Sequence, residues 1–124
     1  MVILPYCHID GERYMEKMMQ ARLDARARII KAIAHPSRLF IVEELNKTER
    51  CVCELTEMIG SDASTVSKHL GILKNAGLVE DEKRGTNIYY HLRVPCILDF
   101  IGCVETVLET NANTQLEIAR CCKR

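Results

Sequence analysis

The chain has 124 residues, 48% of them apolar, and its 17 basic and 17 acidic side chains cancel. That length suits a single domain, 1–124, while the lack of any apolar run near the roughly 18 residues of a membrane span and of a signal-like start in MVILPYCHIDGER lead us to expect a cytoplasmic protein with no membrane partner. Seven cysteines, an odd number, argue in a reducing compartment against a disulfide framework and for soft-metal binding or redox sensing, and no segment is basic enough for charge alone to indicate nucleic acid.

In chain order, Glu12 to Ala34 contains neither Pro nor Gly, and Met15, Met18, Met19, Ala25, Ile29, Ile30 and Ile33 recur at helical spacing, which predicts one or two helices. His35-Pro36-Ser37 breaks the run. Pro36 or Ser37 then opens a helix through SRLFIVEEL with Leu39, Ile41, Val42 and Leu45 inward. After polar NKTER, Cys53 to Ile59 reads as a short helix with Leu55 and Ile59 on one face, stopped at Gly60, where a left-handed backbone is sterically free. Ser61 or Asp62 caps the next helix, ASTVSKHLGILKNA. Its Val66, Leu70 and Leu73 turn inward, which leaves Ser64, Thr65, Lys68 and His69 outward and Ser67 near the edge; Gly77 ends it.

The period then changes. Leu78-Val79-Glu80 starts a strand, Glu82 to Asn87 reads as a turn, and Ile88, Tyr90 and Leu92 alternate with Tyr89 and His91 as in a half-buried strand. Pro95 opens a last long helix with two adjacent apolar stripes, Ile97, Ile101, Val104 and Leu108 beside Cys96, Phe100, Cys103 and Val107. A helix apolar on two faces needs a partner, although within the second stripe Cys96 and Cys103 read as packing residues. The expected fold is mainly α with a small β-hairpin wing, in outline a winged helix-turn-helix. In such a unit the second helix enters the major groove, where Ser and Thr donate or accept at base edges and a lysine reaches a phosphate or a guanine.

Cys51-Val52-Cys53 stands directly in front of this unit. Thiolates are soft ligands and select thiophilic ions over hard ones. Within a regular helix two residues at i and i+2 diverge, but at a helix start they can converge on one ion. The positive end of the helix and neighbouring Arg50 would favour the thiolates.

The stretches CVCELTEMIG and STVSKHLGILKNAGLVEDEKRGTNIYYHL, preceded by IIKAIAHPSRLFIVEEL, together resemble the ArsR/SmtB family of metal-sensing repressors over about residues 26 to 110. The resemblance implies a homodimer joined through terminal helices, with 1–25 an N-terminal segment and dimerisation helix, 26–93 the winged helix-turn-helix, and 94–124 a C-terminal dimerisation helix and tail. It implies double-stranded operator DNA as partner, contacted by Ser64, Thr65, Ser67, Lys68 and His69 and, from the wing, by Lys83 and Arg84. His35 reads as a helix-boundary residue and His91 as part of the wing.

The cysteine pair coincides with the family's thiolate inducer motif. Cadmium- and lead-sensing members add an N-terminal cysteine, which implies the metal set Cys7, Cys51 and Cys53, with Cys7 on a segment ahead of the first helix. The arsenic-sensing branch adds a cysteine just after the pair, where this chain has Thr56 and Glu57. Some arsenic-responsive members carry a C-terminal pair, so Cys121 and Cys122 form a second candidate site. The acid and histidine site of zinc and nickel sensors is not expected, since no histidine follows Asp99. The expected function is a repressor, not an enzyme and with no obligatory cofactor, released from DNA by arsenite, cadmium or lead. A redox-sensing repressor on the same scaffold is the alternative, and a thiol metal carrier a more distant one.

Overall fold

The computed structural model describes the backbone of residues 5–121 and the side chains of residues 11–121. It contains α1 (Pro5–Ile33), α2 (Pro36–Lys47), β1 (Arg50–Cys51), α3 (Val52–Ile59), α4 (Ala63–Asn75), β2 (Val79–Arg84), β3 (Asn87–Leu92) and α5 (Ile97–Cys121). The first apolar-periodic stretch, up to Ile33, thus lies within one unbroken helix of 29 residues, continuous through residues 25 and 26. It begins at a proline, whose missing N–H is harmless at a helix start.

His35 ends that run by capping the next. Its Nδ1 accepts the Ser37 backbone N–H at 3.1 Å, and Pro36 occupies the first turn of α2. α2 buries Ile41, Val42 and Leu45 against Leu55 of α3, Val66, Leu70 and Leu73 of α4, and Val79 and Tyr90 of the sheet. Gly60, at φ 77, caps α3 by donating its N–H to Thr56 O, and Asp62 rather than Ser61 caps α4. This tight corner between two helices is the helix-turn-helix.

The wing has one strand more than the sequence suggests. An antiparallel sheet of three strands runs in the order β1-β3-β2, with Arg50 opposite Tyr90 and Cys51 opposite Tyr89. The turn expected over Glu82 to Asn87 is a correction: Glu82, Lys83, Arg84 and Asn87 stay in the ladder, and only Gly85 and Thr86 lie outside it. Gly85 at φ 63 supplies the left-handed first loop residue that a two-residue hairpin of type II′ requires.

α5 begins at Ile97, two residues after Pro95, and along it only Ile101 is buried. Cys96 and Cys103, expected to pack, are both exposed, because α5 meets the core only through Ile97, Leu98 and Ile101. Phe100, Val104, Val107 and Leu108 are also exposed, as are Met15, Met18, Met19 and Leu23 on α1. Among the described residues no helix is long and apolar enough to cross a membrane.

Candidate nucleic-acid interface and thiol site

The start of α4 is fixed by one carboxylate. Asp62 accepts the Thr65 backbone N–H at 3.3 Å and the hydroxyls of both Ser64 and Thr65. These donors hold its carboxyl low, at about 2, the Ser64 hydroxyl contributing most. Ser64, Ser67 and Lys68 are exposed, whereas Thr65 is half-buried. The outward side of α4 therefore offers two hydroxyls and one ammonium near its N-terminal half, although Ser64 reaches bases only by sharing or leaving its bond to Asp62.

His69 departs from the outward position expected of it. It is half-buried, its ring 4.5 Å from that of His35, and its Nδ1 accepts from Arg38 Nη1 at 3.2 Å. Arg38 Nε in turn donates to Ala32 O at 2.5 Å. Burial first, then the charges of His35 and Arg38, push the His69 pKa below its ordinary value.

At the wing, Lys83 is exposed and has no ion-pair partner among the described side chains. Arg84 is engaged: it pairs with Glu49 at 2.7 Å and Glu82 at 2.8 Å, and lies over the Tyr89 ring at 5.0 Å. The Glu49 and Glu82 carboxylates hold it firmly protonated. The charge is therefore largely matched before any phosphate arrives. His91 pairs with Glu80 across the same hairpin, at 3.0 Å.

The thiol site joins strand to helix. Cys51 is both the last residue of β1 and the N-cap of α3, and its sulfur is bonded to that of Cys53 in a disulfide, with the Cα atoms 5.4 Å apart. Cys51 is 3% exposed, whereas Cys53 is at the surface. The convergence expected of an i and i+2 pair at a helix start is present.

Its charge environment is not the expected one. Cys51 Sγ accepts the Glu54 N–H at 3.4 Å and Glu54 Oε1 accepts the Cys51 N–H at 3.5 Å, a reciprocal cap in which cysteine stands where serine usually does. Glu54 Oε1 lies 3.3 Å from Cys51 Sγ. Arg50 is turned to Glu54 at 3.0 Å and to the buried Glu44 at 3.5 Å, so the charged group in contact with the sulfur is Glu54.

The remaining cysteines stand apart. α1 begins at Pro5, so Cys7 belongs to this helix and not to a segment ahead of it; its side chain lies outside the described residues. Cys121 is exposed at the end of α5, and Cys122 lies outside the described residues. Among the described residues no group of three or more His, Cys, Asp or Glu side chains is arranged to hold a metal ion. Sequence reasoning missed Glu54 and Glu49. The C-x-x-E spacing of a capping box could have revealed Glu54, but nothing local announces the pairing of Glu49 with Arg84.

Residues 35–81, from the cap of α2 to the middle of β2, match the model of the bacterial regulatory protein arsR family. The chain is 32% identical over 92 residues to the biofilm growth-associated repressor of Xylella fastidiosa, a match covering 74% of this chain and 81% of that protein. The chain belongs to the arsR family. Against the HTH-type transcriptional repressor SmtB of Mycobacterium tuberculosis it is 41% identical over 70 residues, 56% of this chain and 52% of that repressor, so it spans about half of that relative's length. The solution structure of a homodimeric winged helix-turn-helix DNA-binding domain from Mycobacterium bovis superposes with a TM-score of 0.66 at 32% identity, covering 77% of this chain and 89% of that one. Family and fold are those of DNA-binding transcription regulators rather than of enzymes. The arsR match contains the C-x-C pair and α4 but neither the described part of α1 before His35 nor α5.

Proposed function

We propose that this arsR-family chain is a homodimeric repressor that binds double-stranded operator DNA and leaves it when Cys51 and Cys53 take up a thiophilic ion of the arsenite, cadmium or lead class. The observation that carries the reading is the meeting of the two sulfurs at the junction of β1 and α3. There a ligand touches the first helix of the reading unit and the wing sheet together.

The exposed Ser64, Ser67 and Lys68 support α4 as the DNA-reading helix, with Lys83 as the wing's available cation. Dimerisation through α1 and α5 is supported by their exposed apolar faces and by the homodimeric neighbour. The ion needs a donor beyond the pair, for which Cys7 is our choice and the Cys121–Cys122 end the alternative.

A second reading is favoured by the Cys51–Cys53 disulfide itself: oxidation of the same dithiol, rather than an ion, changes operator affinity. Anaerobic titration of the fully reduced protein with arsenite, cadmium and lead separates the two. Thiolate-to-metal absorbance accompanied by loss of operator binding is expected of an ion sensor. No response to any of the three ions, with loss of binding on mild oxidation, would overturn the first reading in favour of the second.

A further inference from the structure

Cys51 belongs to the wing as much as to α3. Its backbone is registered opposite Tyr89 and that of Arg50 opposite Tyr90, so the buried Cys51 sits on a strand laddered to β3. Two residues earlier, Glu49 reaches the wing tip and holds Arg84 at 2.7 Å. Arg84 in turn covers Tyr89, the residue opposite Cys51, at 5.0 Å from its ring centre. Glu49, Cys51, Tyr89 and Arg84 thereby close a loop linking the thiol pair to the hairpin that carries Lys83.

We propose that the wing is the element through which the thiol pair changes DNA affinity, with Glu49 and Arg84 as positioning residues that make the wing follow β1. This rests on the reading of Cys51 and Cys53 as the inducer site. Cys51 is 3% exposed and its sulfur is occupied as the cap of α3, so an ion bridging it to Cys53 and to a donor outside this cap has to draw the Arg50–Cys51 segment from its place. The β1–β3 ladder and the Glu49–Arg84 pair are both anchored on that stretch, and they transmit its displacement to β3 and the tip. The wing then no longer holds the angle to α4 at which both fit DNA. Leu55, buried between α3 and the core, offers a competing route through helix packing that would leave the wing tip unmoved.

The test uses the full-length reduced protein, cadmium chloride as probe, and the variants Glu49→Gln and Glu49→Asp. Glu49 touches neither sulfur, so cadmium affinity, read from thiolate absorbance, should match the wild type in both variants, and operator affinity without cadmium should equal or exceed it. Where cadmium weakens wild-type operator binding by about 5- to 150-fold, the range of ordinary allosteric coupling, Glu49→Gln should retain less than about a fifth of that factor and Glu49→Asp most of it. In the absence of DNA, cadmium should shift the backbone amide resonances of Gly85 and Tyr89 in the wild type and much less in Glu49→Gln. A full release factor in Glu49→Gln, or unmoved wing amides in cadmium-loaded wild type, overturns the proposal. Absence of thiolate absorbance in the wild type would instead defeat the ion reading, and the same comparison between reduced and oxidised protein then decides whether the wing is the transmitting element.

Discussion

Arg38 Nη1 donates to His69 Nδ1 at 3.2 Å, and this bond joins the start of α2 to α4. The acceptor role leaves the neutral imidazole proton on Nε2. Protonation at Nδ1 would abolish the bond and set a cation beside Arg38 and the His35 ring.

A depressed histidine pKa fixes the sign of the pH effect. The unfolded chain takes up a proton as pH falls through about 6.5, while burial, His35 and Arg38 make the folded state resist it. The stability from neutral His69 is therefore present above about 6.5 and is lost as pH falls below that value toward the folded pKa. Thermal unfolding between about pH 7.5 and 5.5 should show a smaller fall in midpoint for His69→Asn, whose amide oxygen can accept from Arg38, than for the wild type. An equal fall in both would remove His69 as the source.

Cys51→Ser should leave α3 intact, since a serine hydroxyl accepts the Glu54 N–H at least as well as sulfur does. Because oxygen is not a soft anionic ligand, Cys51→Ser with Cys53→Ser should bind operator normally and lose most of its response to cadmium or arsenite. Cys7→Ser should weaken the response and the Cys121→Ser, Cys122→Ser double variant should not; the reverse pattern would move the third donor to the C-terminal end. Measurement of operator affinity with and without ion checks all of these.

Lys68 and Arg84 carry the same charge but should not count equally toward DNA. Lys68 is exposed, and Lys68→Ala should weaken binding and reduce the slope of log K against log salt by about one unit if it neutralises a phosphate. Arg84 already faces Glu49 and Glu82, so Arg84→Ala should change that slope by clearly less. Equal slopes for the two variants would mean that DNA displaces the wing acids.

Leu108 is 58% exposed on the apolar stripe of α5. Leu108→Glu should leave the isolated fold unharmed yet bury a charge at the proposed dimer interface, a placement that is strongly unfavourable unless paired. Sedimentation should then show monomer at concentrations where the wild type is dimeric. Operator affinity should fall with it, since one recognition helix reads only a half-site.

What could be read in the sequence was whatever is encoded locally. Gly60 and Gly77 mark helix ends through their left-handed backbones, and Val66, Leu70 and Leu73 declare the inward face of α4 by spacing alone. β1 was invisible because a strand of two residues, Arg50 and Cys51, has no period; it exists only because β3 lies beside it. Lys83 and Arg84 looked like turn residues because the hairpin tip is solvated and polar, though they remain paired. The engagement of Arg84 and His69 comes from Glu49 and Arg38, which are 35 and 31 residues away in the chain. The contact of Cys51 with Glu54, by contrast, is local, and a capping pattern could have revealed it.

The exposed methionines of α1 carry a consequence for concentration. Met15, Met18 and Met19 are exposed among the described residues, and a helical stretch without tertiary support is marginal in water. If the proposed dimer covers these residues, helicity of that segment is governed by mass action, and each halving of protein shifts the balance toward chains whose first helix is partly melted. At low copy number, assembly would then set how much of the regulator carries an intact first helix, and far-ultraviolet circular dichroism on dilution would record the melting directly.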